Sequence, residues 1–521
     1  MRKSLAELLC RLAVDQPQLI IFPAVVGAQQ ELKYRNTADT KMQLTNCFSS
    51  LLNTLTEQEP DAVLQVQLLV KELRRITLLW DEHWIHSLSQ LYAEYAPLYN
   101  TLDAEAKKTN NVELIQAKYE VFRQHLLTDF KQIAAATEKE PETNYEHSFQ
   151  ERFGTYIEAV LKELQKDSKE SKPSEYWHKI KQLYSIFQQR PLRGNSSTLK
   201  ISEISPVLAN MHNTTIAMPG VDTHEQTPVY IKSVEATAFI FIPTKTKPKK
   251  LSFYGSNGQR YTYLFKGQED LHLDERIMQF LSISNSMMAR SYGSKAKTDC
   301  FKADHYSVIP LGSRSGLIRW VDNCFPLFAI YKKWQQRDAL LKQQQKERLS
   351  STKGQEAIEQ SPTYTTNATR PSELFYNKLT PLLAECNLKV TDPRRQWPMP
   401  VLKRVLKELS AETPKDLLSK EIWCYSANAV EWRKSVRRYS LSLAVMSMIG
   451  YIIGLGDRHL DNVLIKLATG EILHIDYSVC FEKGKTLRVP EKIPFRMTQN
   501  IKDALGLVGT EVSKNYSLKH S

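Results

Sequence analysis

Several features that would narrow the function early are missing from this sequence. Its seven cysteines, at positions 10, 47, 300, 324, 386, 424 and 480, are scattered and form no Cys-x-x-Cys pair. That argues against a structural zinc site and for a reducing compartment. Long apolar runs are also missing. The most apolar region, Leu441 to Leu455, falls short of the roughly 18 residues that a membrane span requires, so it is expected to be a buried helix. No targeting segment stands out either. Met1-Arg-Lys is basic, but Glu7, Arg11 and Asp15 interrupt Ser4 to Val14, which reads as an amphipathic helix. What is present is ordinary for a globular protein: 521 residues, 42% hydrophobic and 24% charged, enough for two to four domains with real cores. The net charge of +13 permits nucleotide, RNA or inositol phosphates as acidic partners and selects none of them.

The densest chemistry lies in Gly454-Leu-Gly-Asp-Arg-His-Leu-Asp-Asn462 and the following Ile475-Asp476-Tyr477. Asp457 and Asn462 have the spacing of the Asp and Asn in a protein-kinase catalytic loop. There the Asp receives the proton of the attacking hydroxyl and the Asn holds a Mg²⁺. Val463 to Leu467 and Ile472 to Ile475 are apolar runs separated by Ala468-Thr-Gly-Glu471, which predicts a β-hairpin. Closing the hairpin brings Asn462 and Asp476 together. Two hard oxygen ligands then make a Mg²⁺ site when phosphates complete the shell. The plain alternative is a polar loop whose carboxylates cap helices and turns.

Gly-Asp-Arg-His-x-x-Asn followed by His-Ile-Asp resembles the phosphatidylinositol 3-kinase-related kinases, which reverse the His-Arg-Asp order of ordinary protein kinases. The longer string Gly454 to Asn500 is similar to the branch of that family that serves nonsense-mediated mRNA decay. It includes Tyr477-Ser-Val-Cys-Phe-Glu-Lys-Gly-Lys485 and Arg488-Val-Pro-Glu-Lys-Ile-Pro-Phe-Arg-Met-Thr-Gln499. Tyr477-Ser478, where most relatives have Phe-Gly, is closer to that branch's Tyr-Asn. The similarity continues through Arg74 to Trp84 and Pro243 to Gln336. It implies a bilobal, protein/lipid-kinase-like α+β fold with a mixed small lobe and a helical large lobe. An all-α scaffold and a four-helix bundle would precede these lobes. It also implies ATP and Mg²⁺ (or Mn²⁺) as cofactors, and Ser/Thr phosphorylation at Ser-Gln and Thr-Gln sites. The substrate would be the RNA helicase of the decay pathway, and the decay kinase's regulatory subunits would be partners. The expected location is cytoplasmic and also nuclear, with no direct nucleic-acid binding and no membrane span.

Along the chain, residues 1–75 show helical periodicity with a polar break near Gln29 to Thr40. By resemblance they are the end of a helical-repeat scaffold. Residues 76–168, from Leu79-Trp80-Asp-Glu-His-Trp84 to Tyr156-Ile-x-x-Val160, have the spacing of a four-helix bundle. This bundle resembles the small helical insertion that, in one relative, binds rapamycin complexes. Residues 169–197 are expected to be a linker and 198–320 a small lobe. Strands are predicted at Ala236 to Pro243, Leu251 to Gly255 and Arg260 to Phe265, with an Asn257-Gly258 turn. In the resembling family the loop Thr244-Lys245-Thr246 lies over the ATP phosphates, although it lacks the Gly-rich pattern of ordinary kinases.

Lys266 ends the third strand, placed to reach phosphates with either Glu269 or Asp274 fixing its side chain. A buried strand is expected from Tyr306 to Pro310, with Tyr306 among the ATP-binding residues. Gly316 to Val321 looks like an inter-lobe hinge, with Ile318, Trp320 and Val321, and Leu464 from the large lobe, beside adenine. Residues 321–521 form the large lobe, interrupted by a polar, low-complexity excursion at 338–370. Trp397, Trp423 and Trp432 are expected to be core or interface anchors.

In this reading Asp457 deprotonates the hydroxyl, Asn462 and Asp476 hold the metal, and Lys266 neutralises phosphate. His459 either donates to the transferring phosphoryl group or ties down the loop. Arg458 forms a loop-bracing ion pair. Asp476 to Gln499 is the activation loop, with Leu487, Val489, Pro490, Glu491 and Pro494 lining a pocket for the substrate's Gln. One rival is a lipid kinase, with Lys483, Lys485, Arg488 and Lys492 meeting a phosphoinositide headgroup. The other is a non-catalytic scaffold. The similarity fades after Gly506 to Gly509, so a fragment or short form without part of the supporting large lobe is expected.

Overall fold

The computed structural model describes residues 2–28, 38–108, 111–166, 173–189, 197–221, 228–241, 246–292, 301–351, 370–487, 489–493 and 495–506. Among them the protein is α+β, mostly helical, with antiparallel sheets. It divides into two compact units, Met1–Glu275 with Ser307–Trp320, and Arg276–Tyr306 with Val321–Ser521.

The first unit opens with α1 (Arg2–Asp15), α2 (Pro17–Ala28), α3 (Ala38–Gln58) and α4 (Pro60–Thr77). Pro60 starts α4, where its fixed φ and missing N–H cost nothing. Val63, Val66, Leu69, Val70, Leu73 and Ile76 recur every three or four residues and are buried on one face. The helices α5 (Trp80–Ala106), α6 (Val112–Ala134), α7 (Asn144–Gln165) and α8 (Pro173–Gln189) follow. They share a core of stacked aromatics, including Trp84 on Phe187 at 5.8 Å and Phe153 on Phe187 at 4.3 Å between centroids. The Trp84 indole N–H is satisfied by the Thr137 hydroxyl at 3.0 Å. Trp80 packs edge-on against Phe149.

Helix α8 corrects the expected linker at 169–197. Tyr176, Trp177, Ile180, Leu183 and Phe187 all point into the bundle and are buried. Burying five such side chains stabilises by roughly 1.5–3 kcal/mol each. The bundle's fourth helix therefore begins at Pro173, beyond the expected end at 168.

The sheet of the first unit combines β1 (Thr198–Lys200), β2 (Ile231–Val234), β3 (Thr237–Ile240), β4 (Lys249–Gly255), β5 (Arg260–Gly267), β6 (Val308–Gly312) and β7 (Ser315–Arg319). The short helices α9 (Ile201–Ile204) and α10 (Pro206–Ala209) follow β1. Its order is β1-β3-β4-β5-β7-β6, with β2 also on β4. Along β5 and β7 the pleat sends Tyr263, Phe265 and Leu317 into one core with α1–α4. The opposite face carries Leu264, Lys266 and Ile318, all half-buried.

Helix α11 (His272–Tyr292) leads into the second unit, which holds β8 (Cys324–Pro326), α12 (Leu327–Ser351), α13 (Pro371–Ala384), α14 (Met399–Glu412), α15 (Leu417–Tyr425) and α16 (Ala429–Ile452). The hairpin β9 (Val463–Lys466) and β10 (Ile472–His474) and the short α17 (Gln499–Asp503) complete it. The expected excursion at 338–370 is helical as far as Ser351; residues 352–369 lie outside the described ones. Helix α16 buries Leu443, Ala444, Val445, Met446 and Ile449, as its apolar sequence predicts. Among the described residues no helix is long and apolar enough to cross a membrane. Trp397 is buried, but Trp423 is 54% exposed and so is no core anchor in this unit.

Candidate active site

Helix α16 ends where the candidate catalytic loop begins. Gly454 takes φ +59, and the Leu455 N–H returns to the Gly450 carbonyl at 2.8 Å, a glycine-terminated helix end. A side chain at Gly454 would lie 2.7 Å from the Glu482 backbone nitrogen, so the loop and the segment after Asp476 are in backbone contact. The Gly456 N–H donates to the Val479 carbonyl at 2.8 Å, and the Phe481 N–H to the Ile453 carbonyl at 2.7 Å.

The β9–β10 hairpin forms with His474 opposite Val463, and the Ile475 N–H donates to the Asn462 carbonyl at 3.1 Å. Asn462 and Asp476 thus sit at the paired open end of the hairpin. Asn462 is buried, and its amide N–H donates to the Asp457 carbonyl at 3.0 Å. This leaves its side-chain oxygen to accept. Asp476 is exposed, at φ +60, and one carboxylate oxygen accepts the Ser478 N–H at 3.1 Å. A carboxylate and an amide on the two strands' ends are the donor types that suit a hard cation such as Mg²⁺, which binds few protein ligands and keeps waters and phosphates.

Arg458 corrects the expected ion pair: the buried guanidinium braces the loop through backbone carbonyls. It donates to Gly456 at 2.9 Å, to Ile475 at 2.8 Å, to Asn462 at 3.4 Å and to Asp476. Burial pulls its pKa down, while Tyr477, Asp476 and Asp457 oppose that shift. Beneath it, His474 is buried, and burial with the nearby Arg458 charge pushes its pKa down to about 3. His474 is therefore neutral at physiological pH.

Asp457 also has a left-handed backbone, φ +55, and a half-exposed carboxylate. His459 lies 3.9 Å from Asp457 and 3.8 Å from Asp461, too far for hydrogen bonds, with its ring half-exposed. The Glu491 carboxylate accepts the Asp457 N–H at 3.1 and 2.9 Å. Sequence reasoning placed Glu491 in a substrate pocket and missed this contact. Leu487 is half-buried, and Val489 and Pro490 are exposed; Pro494, Thr244 and Lys245 lie outside the described residues. A cleft of about 910 Å³ opens within the second unit, with Leu455, Arg458, Leu460, Pro490, Glu491 and Met497 in its wall.

In the first unit, the Lys266 ammonium meets Glu269 at 3.1 Å, and the Thr246 hydroxyl donates to the other Glu269 oxygen at 3.3 Å. Of the two acids the sequence left open, the one three residues on is beside the lysine. Ile318 stands opposite Leu264 on the same sheet face. Trp320 donates its backbone N–H to Thr262 at 2.9 Å and stacks on Phe241 at 5.9 Å. The Lys250 ammonium lies 4.0 Å above its ring, a cation–π contact. In the second unit, Tyr306 is buried, and Val321 and Leu464 are half-buried.

Residues 260–518 match the family model described as phosphatidylinositol 3- and 4-kinase. Over 516 residues the chain is 52% identical to the serine/threonine-protein kinase Smg1 of Drosophila melanogaster, covering 98% of this chain and 15% of that protein. It is 42% identical over 566 residues to serine/threonine-protein kinase SMG1 of Danio rerio, with 98% of this chain and 15% of that protein covered. With serine/threonine-protein kinase smg-1 of Caenorhabditis briggsae the identity is 35% over 523 residues, covering 97% of this chain and 22% of that protein. The chain thus spans less than a quarter of the length of each of these three relatives.

Proposed function

We propose that the chain belongs to the phosphatidylinositol 3- and 4-kinase family and carries the catalytic region of a phosphatidylinositol 3-kinase-related serine/threonine protein kinase. The reaction moves the γ-phosphoryl group of ATP to a Ser or Thr hydroxyl followed by Gln. The hydroxyl oxygen attacks phosphorus while the bond to the bridging β-phosphate oxygen breaks, and ADP leaves with that electron pair. The hydroxyl proton passes to the Asp457 carboxylate.

Asn462 and Asp476 are the side chains that would hold Mg²⁺, and Mn²⁺ suits the same donors. When bound, the ion would neutralise charge on the phosphate oxygens. Lys266, fixed by Glu269, neutralises phosphate charge, with Thr246 beside the same carboxylate. His459, free of hydrogen bonds to its neighbouring acids, donates to the transferring phosphoryl group. The segment Gly316 to Val321 reads adenine through backbone groups. The substrate is the RNA helicase of nonsense-mediated mRNA decay, and the partners are that kinase's regulatory subunits.

One observation carries this reading. The β9–β10 hairpin seats Asn462 and Asp476 at its open end, and Arg458 binds carbonyls on both of its sides, next to Asp457. The test is Mg²⁺-dependent transfer of labelled phosphate from ATP to a Ser-Gln peptide, beside a Ser-Leu peptide and phosphoinositide vesicles. Transfer to Ser-Gln that Asp457→Ala and Asp476→Ala abolish is expected. Equal rates on Ser-Leu would sink the Gln preference, and transfer to the vesicles alone would make the chain a lipid kinase.

A further inference from the structure

We propose that Glu491 is a positioning residue for Asp457, holding the base in register with the segment that follows Asp476. The inference rests on the kinase reading above. Asp457 adopts φ +55, a left-handed backbone that costs a non-glycine residue on the order of 1 kcal/mol or more. Such a conformation persists where its surroundings hold it. The Asp457 N–H is turned to the Glu491 carboxylate and meets both oxygens, at 3.1 and 2.9 Å, across 34 residues of chain. A hydrogen bond from a backbone N–H to an ionised carboxylate is about twice as strong as a neutral one. Among the described residues no lysine, arginine or histidine forms an ion pair with Glu491, so its charge is directed at this N–H.

Two glycines make room for it. A Cβ at Gly456 would lie 2.5 Å from a Glu491 oxygen, and one at Gly484 would lie 3.0 Å from the same atom. The Glu491 N–H in turn donates to the Gly484 carbonyl at 3.0 Å, closing a loop from 484 to 491 around the carboxylate. The exposed Val489 and Pro490 lie within that loop. The conformation of the segment that carries them therefore sets the direction of the Asp457 side chain. Glu491 touches no reacting atom. It acts through Asp457.

The test measures steady-state phosphate transfer by the whole chain and by Glu491→Ala, Glu491→Gln and Gly456→Ala. Glu491→Ala loses the acceptor and is expected to lower kcat by about 10- to 100-fold with KM for ATP within about 2-fold. Glu491→Gln keeps one oxygen for the N–H and is expected to restore kcat to within about 5-fold. Gly456→Ala displaces the carboxylate and is expected to resemble Glu491→Ala. Wild-type kcat in Glu491→Ala, or a glutamine variant as impaired as the alanine one, overturns the proposal. Should Glu491→Ala fail to fold by circular dichroism, the other pair decides. An active Glu491→Gln with an impaired Gly456→Ala supports it, and any other combination overturns it. An inactive wild-type chain would instead refute the kinase reading itself.

Discussion

Lys249 is a buried lysine at the start of β4, and replacing it tests how the sheet is held. Its side chain is 1% exposed; the ammonium is paired with Glu82, itself 7% exposed, and donates to the Thr77 carbonyl at 3.0 Å. Glu82 also accepts the Leu79 N–H at 3.3 Å, capping α5. One carboxylate therefore serves a helix start and a strand start. Removing one partner of a buried pair takes from the other its paired opposite charge, at a cost of about 3–5 kcal/mol. Lys249→Met should accordingly lower the melting temperature of the first unit by about 6 to 20 °C. Glu82→Gln keeps an oxygen for the Leu79 N–H but removes the negative charge paired with the lysine, with a loss of similar size. The double variant removes both members of this pair, and its expected loss is below the sum of the two single losses.

Calorimetry of the four proteins closes the cycle. Additive losses, or a loss below about 1 kcal/mol for Lys249→Met, would refute the reasoning. The same contact bears on chemistry. A Cβ at Gly267 would lie 2.8 Å from the Thr77 carbonyl, so β5 approaches the α4–α5 turn one residue beyond Lys266. KM for ATP is expected to rise a few-fold in Lys249→Met.

Other perturbations follow from single contacts. Gly470, at φ +86 in the β9–β10 turn, has no room for a side chain, because a Cβ would lie 2.1 Å from the Ser435 carbonyl oxygen. Gly470→Ala should cost about 3 kcal/mol or more in urea unfolding, and a loss under about 1 would contradict the packing. Arg458→Lys keeps the charge but cannot span the carbonyls on both sides of the hairpin, so kcat should fall by about 10- to 100-fold with the fold retained. In the bundle, burial pushes the Glu163 carboxyl up, but hydrogen bonds from Lys179 at 2.6 Å and Lys166 at 2.9 Å outweigh it and hold the pKa below 4.5. A carboxylate with a depressed folded-state pKa contributes fully above its unfolded value. That contribution is lost as pH falls through the folded one. Thermal melts between about pH 5 and 3 should therefore steepen more for wild type than for Glu163→Gln.

Much of this was legible in the sequence wherever the signal was local. The hairpin from Val463 to His474, the strands around Asn257-Gly258 and the buried α16 each follow from periodicity and turn residues within a short window. The apolar runs on either side of Ala468 to Glu471 predict the hairpin whose open end carries Asn462 and Asp476. Helix α8 left a signal that went unread, with Pro173 at its first turn and an apolar repeat from Tyr176 to Phe187. The charged stretch in front of it reads as a linker.

What only the tertiary structure decided depends on chain path and side-chain direction. Sequence spacing gave Lys266 two acids, and the bend after β5 brought one of them to 3.1 Å. An arginine among acids suggests an ion pair, yet Arg458 points inward, where the carbonyls at the hairpin's open end face it. Glu491 reads as one more polar residue of a surface loop. Its place beneath Asp457 exists because two glycines, 28 residues apart, let two backbones meet there. Sequence by itself determined which chemical groups are present and which short elements form. Which of those groups meet was decided by the long-range packing, because a contact across many residues has no local spacing to announce it.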